Sequence, residues 1–164
     1  MTRMTVVGLY RSPGHNFVGH FGREPGRHPM ESLERVRVLA GRGIEGDRFM
    51  DHAPGYKGQV TFYSAETHRD LCEALGKWVE ASVCRRNVVV EGVDLNEWVG
   101  RRFALDGVAF EGVEECRPCS WMDLAVGPGA EAFLRGRGGL RARVLTDGDL
   151  RLGPTTWGEW RQEG

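Results

Sequence analysis

Residues Phe103 to Phe110 read F-A-L-D-G-V-A-F, two short apolar segments joined by an Asp-Gly pair. Asp-Gly accepts the positive φ angles of a tight two-residue turn, so this stretch predicts a β-hairpin. A second stretch, Arg143 to Leu152, reads R-V-L-T-D-G-D-L-R-L and predicts another hairpin around its own Asp-Gly pair. Hairpins built from short strands are typical of a closed or sandwiched antiparallel sheet.

Short β-branched segments extend this pattern on both sides of the hairpins. They are typical of strands bounded by turns and lie at Met4 to Tyr10, Arg35 to Ala40, Gln59 to Tyr63 and Asn87 to Glu91. Glycine fills 24 of 164 positions. That is about twice its usual share, which favours a fold with many turns.

Helix signals are few. Ala65 to Leu75 has Ser64 as a plausible N-cap and Gly76 as a plausible end. Its expected buried stripe consists of Leu71, Ala74 and Leu75. A second short helix is expected over residues 129–134 and a single turn over 94–99. The residues therefore predict a mostly β fold with a few peripheral helices.

Length and composition limit the class of protein. A chain of 164 residues favours one domain over 1–164. Within it, Ser12 to Met30 is rich in Gly, Pro and His and predicts a long loop, and residues 161–164 predict a frayed tail. The 22 Lys and Arg nearly balance the 23 Asp and Glu, which argues against nucleic acid or a membrane as partner.

The cellular compartment is predicted from absent signals and from the cysteines. The sequence has no apolar run of membrane-spanning length and no secretory leader. In such a chain Cys72, Cys84, Cys116 and Cys119 are expected to be thiols rather than a disulfide framework. The expected location is the cytoplasm.

Two segments carry groups suited to an anion. Gly41 to Phe49 reads G-R-G-I-E-G-D-R-F, and its glycines would let backbone N–H groups approach a ligand, with Arg42 and Arg48 adding charged donors. Arg85, Arg86 and Asn87 open a predicted strand and would grip a phosphate or a heterocycle edge. From the pattern alone, a simple turn and a solvated strand end remain open alternatives.

The sequence Cys116-Arg117-Pro118-Cys119 is the strongest candidate for chemistry. A single C-x-x-C lacks the second pair that a structural zinc site needs. Pro118 stiffens the backbone before Cys119, and Arg117 favours the thiolate, which is the form that ligates metals or accepts sulfur. The alternative is a pair of buried thiols that pack as small apolar groups.

Taken in order, these segments resemble the MOSC family, the domain found at the C-terminus of molybdenum cofactor sulfurases and as standalone bacterial proteins. The matching stretches are GIEGDRF (43–49), VTFYSAE (60–66), RRNVVVEGVDLNEWVGRRFALDGV (85–108), ECRPC (115–119) and GGLRARVLTDGDLRLG (138–153). The resemblance implies a closed β-barrel of the pyruvate-kinase barrel type with a few peripheral helices. It also carries a family-level association with pyridoxal phosphate binding.

The resemblance further implies a role around the molybdenum cofactor, Mo-molybdopterin. In the amidoxime-reducing relatives one cysteine thiolate holds molybdenum, and Cys119 stands at its position. An Arg-x-Asn that contacts the pterin in those relatives is matched by Arg85 and Asn87. Arg48 and Arg117 are further candidates for cofactor binding. The small threonines that follow the cysteine in those relatives are replaced here by residues 120–123, S-W-M-D.

Three functions follow as expectations. The first is a molybdenum-dependent oxidoreductase that reduces N-hydroxylated small molecules, with Cys119 as metal ligand and an electron-donor protein as partner. The second is a sulfur carrier that holds a persulfide on Cys119, supplied by a cysteine desulfurase. The third is a non-catalytic binding module whose C-x-x-C acts as a redox switch.

Overall fold

The computed structural model describes residues 1–13 and 29–162, which form eleven strands and three α-helices. The strands are β1 (Thr2–Arg11), β2 (Glu31–Ser32), β3 (Arg35–Leu39), β4 (Gly43–Ile44), β5 (Val60–Ser64), β6 (Val88–Glu91), β7 (Arg102–Leu105), β8 (Val108–Glu115), β9 (Leu140–Val144), β10 (Gly148–Arg151) and β11 (Gly153–Glu159). The helices are α1 (Ala65–Leu75), α2 (Ser120–Ala125) and α3 (Ala130–Leu134), and 3-10 turns lie at Ala81–Cys84 and Leu95–Trp98. The prediction of a mostly β chain is confirmed.

Seven strands close into a barrel. Their order is β11-β7-β8-β9-β5-β6-β1, and β1 pairs with β11 to complete the circle, with Thr2 opposite Trp157. Neighbouring strands are antiparallel except β5 and β6, which are parallel. Strands β10, β3 and β4 form a separate small sheet. The predicted closed barrel with few peripheral helices is therefore confirmed.

Aromatic side chains fill the barrel interior, since alternate residues of each strand point to the same face. Phe62, Phe103, Phe110 and Trp157 are at most 1% exposed. The rings of Phe103 and Trp157 stack with centroids 4.1 Å apart, and Phe62 meets Phe110 edge to face at 5.2 Å. Burying each such side chain contributes about 1.5–3 kcal/mol of transfer free energy.

The first predicted hairpin is present. Strands β7 and β8 pair with Leu105 opposite Val108. Between them Asp106 and Gly107 have φ angles of 51° and 78°, which are the two positive values of a type I′ turn.

The second predicted hairpin is wrong. Strand β10 pairs with β3, with Gly148 opposite Val38, and not with β9. The Asp147 carboxylate accepts a 2.7 Å hydrogen bond from the backbone N–H of Ala40, just beyond β3. Gly148 does not have a positive φ, because this tertiary contact directs the chain toward β3 rather than back along β9.

Helix α1 has the predicted bounds and caps. The Ser64 hydroxyl accepts from the N–H of Thr67 at 3.1 Å, and Gly76 ends the helix at φ 66°. Its buried face contains His68, Leu71 and Cys72, whereas Ala74 is exposed. The predicted stripe was therefore wrong at Ala74, because the helix turns His68 toward the barrel in its place.

Parts of the chain lie outside the described residues. The predicted loop Ser12 to Met30 falls largely on residues 14–28, and the predicted frayed tail partly on 163–164, so both stay predictions. A single domain over 1–164 and a cytoplasmic location also stay predictions. In the part of the chain that the structure describes, no helix has the length and apolar character needed to span a membrane.

Candidate functional site

A cavity of about 570 Å³ opens where β5, β6 and β9 begin and β8 ends. Its volume falls within the range of about 300–1,000 Å³ that is usual for small-molecule sites. Five arginines line it: Arg48, Arg85, Arg86, Arg117 and Arg141. The carboxylates in the same wall are Glu114 and Glu115, so the excess of positive charge favours an anionic ligand.

Arg48 is held rigidly in the cavity wall. Its side chain is 7% exposed and lies 3.2 Å from the fully buried carboxylate of Asp47. Asp47 also accepts from the N–H groups of Ser12 and Phe49 at 3.0 and 3.2 Å. Burial lowers the pKa of Arg48, and Asp47 opposes that change. These bonds fix the guanidinium in one position, which favours specific anion binding.

Arg85 reaches the same cavity from a strained backbone. It follows the 3-10 turn Ala81–Cys84 with φ 59°, a left-handed conformation that residues with a Cβ rarely adopt. Such conformations cluster at functional sites. Burial and the nearby Arg48 lower the pKa of Arg85 to about 10, so the side chain is still a cation at neutral pH. An anion bound beside both guanidinium groups would relieve their mutual repulsion.

Cys119 is one of the residues that line this cavity. Of the four cysteines it is exposed, whereas Cys72, Cys84 and Cys116 are buried, and all four are free thiols. Burial raises the pKa of Cys84, which also lies in the cavity wall. Because reactivity requires access as well as a thiolate, Cys119 is the best placed of the four thiols for chemistry.

The loop that carries Cys119 packs closely against the chain just before β9 through Cys116 and Pro118. The N–H of Cys116 donates to the Gly139 carbonyl at 2.8 Å. A Cβ at Gly138 would collide with the Cys116 carbonyl oxygen and lie 2.9 Å from Cδ of Pro118. Glycine is therefore required at 138 for the close approach of this loop to β9.

Of the predicted site residues, the structure brings Arg48, Arg85, Arg117 and Cys119 to one cavity. Arg117 is exposed there. Asn87 is not among the lining residues and is 1% exposed. Its side chain accepts from the N–H and hydroxyl of Thr61 and donates to the Tyr10 carbonyl, at 3.0–3.1 Å. Asn87 thus joins β5, β6 and β1 behind the cavity.

Sequence reasoning missed the aromatic wall of the site. Phe49 and Tyr56 stack with ring centroids 5.5 Å apart, and both line the cavity. Arg141 donates to the Tyr56 hydroxyl at 2.7 Å and pairs with Glu114 at 3.0 Å. Phe49 lies in the quoted glycine-rich motif, but Tyr56 stands alone in the sequence and carries no signal of its own.

The backbone contacts of Arg86 are not predicted by the sequence. The pattern Arg85-Arg86-Asn87 predicts a guanidinium that binds an anion, with a solvated strand end as the alternative. In the structure Arg86 lines the cavity, and its guanidinium donates to backbone carbonyl groups on three separate segments.

Comparison with known protein families matches residues 47–155 to the MOSC domain. A search of curated proteins finds no match. Among solved structures, the YuaD protein from Bacillus subtilis is 17% identical with a TM-score of 0.73 over 98% of each chain. YiiM from Geobacillus stearothermophilus is 16% identical with a TM-score of 0.68, over 95% of this chain and 75% of that one.

YiiM from Escherichia coli is similar as well, at 15% identity and a TM-score of 0.61, over 93% of this chain and 72% of that one. Identities this low show a shared fold and nothing finer. The family match, in contrast, covers well over half of the 164 residues and includes Arg48, Arg85 and Cys119. The chain belongs to the MOSC domain family.

Proposed function

We propose that this protein binds the molybdenum cofactor in the arginine-lined cavity, with the Cys119 thiolate as the protein ligand to molybdenum. The observation that carries the proposal is the placement of one exposed thiol in the same cavity as five arginines. Family membership supports it, because the MOSC family is associated with this cofactor.

The donor groups in the cavity fit this cofactor better than a bare metal ion. Among the described residues, no group of three or more His, Cys, Asp or Glu is placed to hold a metal. The cofactor carries its own dithiolene sulfurs, so one protein thiolate completes a soft ligand set. Its phosphate is an anion, and guanidinium groups bind phosphate through paired charged hydrogen bonds.

The arginines have distinct roles in this proposal. Arg48 and Arg85 bind the cofactor phosphate, since both guanidinium groups are held in the wall and carry charge at neutral pH. Arg117, two residues before Cys119, contributes charge at the exposed part of the cavity. Asn87 supports the site from behind through Thr61 and Tyr10.

The reaction we propose is the reduction of an N-hydroxylated small molecule. A hydroxylamine, two electrons and two protons give an amine and water. The bound cofactor supplies the two-electron exchange, and the protein positions it. The Cys119 loop and the aromatic wall of Phe49 and Tyr56 orient the substrate and restrict water. An electron-donor protein restores the electrons after each turnover.

Metal content tests the ligand assignment. We expect protein from a molybdenum-replete host to carry molybdenum and pterin, and Cys119→Ser to lose the metal. Cys72→Ser is the matched control, because Cys72 lies on α1 and is not among the residues that line the cavity. Undiminished molybdenum in a folded Cys119→Ser variant would refute the assignment.

A sulfur carrier is the second candidate, favoured by the exposure of the Cys119 thiol. Nucleophilic attack on a donor persulfide needs only a thiolate and access. Mass spectrometry after mixing with a cysteine desulfurase separates the two functions. An added sulfur atom on Cys119 supports carriage, and bound pterin without that addition supports the reductase.

A further inference from the structure

The guanidinium of Arg86 connects three segments that surround the cavity. Its Nε donates to the Gly138 carbonyl at 3.0 Å, Nη1 to the Cys84 carbonyl at 3.2 Å, and Nη2 to the Cys116 carbonyl at 3.3 Å. Gly138 lies just before β9, Cys84 ends a 3-10 turn, and Cys116 directly follows β8. One side chain therefore fixes three chain segments relative to one another.

Only an arginine suits this position. Its guanidinium presents five N–H donors in fixed, coplanar directions, whereas a lysine presents one compact charge at the end of a flexible stem. The three carbonyl oxygens approach the guanidinium along separate N–H directions. A lysine would keep the positive charge and lose this three-way geometry.

The Cys116–Cys119 loop is thereby held on two sides. Gly138 lies against Cys116 and Pro118 and leaves no space for a Cβ. Arg86 binds the carbonyl groups of both Gly138 and Cys116, so the loop and the start of β9 move together. Its charge also acts within the cavity, since Arg86 contributes to the lowered pKa of Arg48.

We propose that Arg86 is a positioning residue that, through its three backbone hydrogen bonds, holds the Cys116–Cys119 loop at a fixed place relative to the cavity arginines. The inference rests on the proposed function only in taking Cys119 as the working sulfur. It applies equally to a metal ligand and to a sulfur carrier, because both need the thiol at a fixed place beside Arg48 and Arg85.

Amide hydrogen exchange of the full-length protein without cofactor tests the proposal. In the Arg86→Ala variant we expect the amide hydrogen of Cys116 to exchange about tenfold faster than in the parent, since charge-assisted hydrogen bonds to the loop are lost. Added guanidinium ion should restore the protection, and ammonium ion should not. Arg69→Ala, which removes an exposed arginine paired with Glu91, is the matched control and should leave Cys116 protected.

Arg86→Lys keeps the experiment decisive if the alanine variant fails to fold. Faster exchange at Cys116 in Arg86→Lys, with β1 unaffected, supports the proposal, because the charge is kept and only the geometry is lost. Protection equal to the parent in either folded variant, or equally faster exchange throughout the barrel, overturns it. Molybdenum content of the parent protein, measured separately, reports on the proposed function and does not bear on this result.

Discussion

Replacing Asn87 by alanine separates a structural role from a cofactor-binding role. The resemblance to amidoxime-reducing proteins implies that Asn87 contacts the pterin, yet its side chain is buried and bonded to Thr61 and Tyr10. Asn87→Ala removes the acceptor shared by the Thr61 N–H and hydroxyl, and the donor to the Tyr10 carbonyl. Both partners lie on neighbouring strands of the closed barrel.

The size of the effect follows from those two lost partners. A buried polar group without a partner costs about 1–3 kcal/mol. Two such backbone groups, the Thr61 N–H and the Tyr10 carbonyl, give a loss of about 2–6 kcal/mol, a large share of the ~5–15 kcal/mol that stabilises a typical domain. For a chain of this length, at about 3 °C per kcal/mol, we expect the melting temperature to fall by about 6–18 °C.

Thermal and urea unfolding of the Asn87→Ala protein without cofactor measure this loss directly. Asn96→Ala is the control, because Asn96 is exposed and its side-chain amide donates one hydrogen bond, to the Gly136 carbonyl. It should cost less than about 1 kcal/mol. If the Asn87→Ala protein is as stable as the parent but no longer binds molybdenum, our reasoning is refuted and Asn87 is a cofactor-binding residue.

Three further substitutions test the site and its surroundings. Gly138→Ala should displace the loop at Pro118, so the folded variant should bind less molybdenum than the parent at a temperature well below its melting temperature. Unchanged metal binding would contradict the close approach of Gly138 to Cys116 and Pro118. Asp47→Asn should cost about 3 kcal/mol in urea unfolding, because it leaves the buried Arg48 cation without its partner; a stability equal to the parent would show that the pair is hydrated. Burial raises the pKa of Cys84 above 9.0, so the folded state keeps a proton that the unfolded chain releases, and the free energy of unfolding should fall as pH rises above 9.0. Cys84→Ser should make this decline in the free energy of unfolding less steep, by up to about 1.4 kcal/mol per pH unit. The same decline in the parent and in Cys84→Ser would show that the Cys84 thiol is not its source.

Local chemistry was enough to predict the β7–β8 hairpin and helix α1. An Asp-Gly pair sets the turn angles, and Ser64 and Gly76 set the ends of the helix, so each signal lies within a few residues of its effect. The second hairpin failed because its partner was chosen by a distant contact. The bond from Ala40 to Asp147 joins residues 107 positions apart, and no local pattern reports it.

Only part of the candidate site was predicted, because the directions of its side chains also depend on contacts that local sequence does not report. The family resemblance implied that Arg85 and Asn87 both contact the cofactor, and two residues at this spacing on a regular strand would share a face. The left-handed backbone at Arg85 breaks that alternation, so Arg85 and Arg86 line the cavity while Asn87 points to β5 and β1. The family resemblance supplied Cys119, but side-chain directions at this irregular strand start required the structure.

The pairing of β1 with β11 affects how the protein is made. Strand β1 is synthesised before the other barrel strands, yet one of its two barrel edges has no partner until residues 153–159 have left the ribosome. Until then β1 and β7 each expose a row of unsatisfied backbone groups, which is a known route to intermolecular strand pairing. We therefore expect nascent chains stalled before residue 153 to aggregate or to recruit chaperones, and chains released with β11 complete to become soluble.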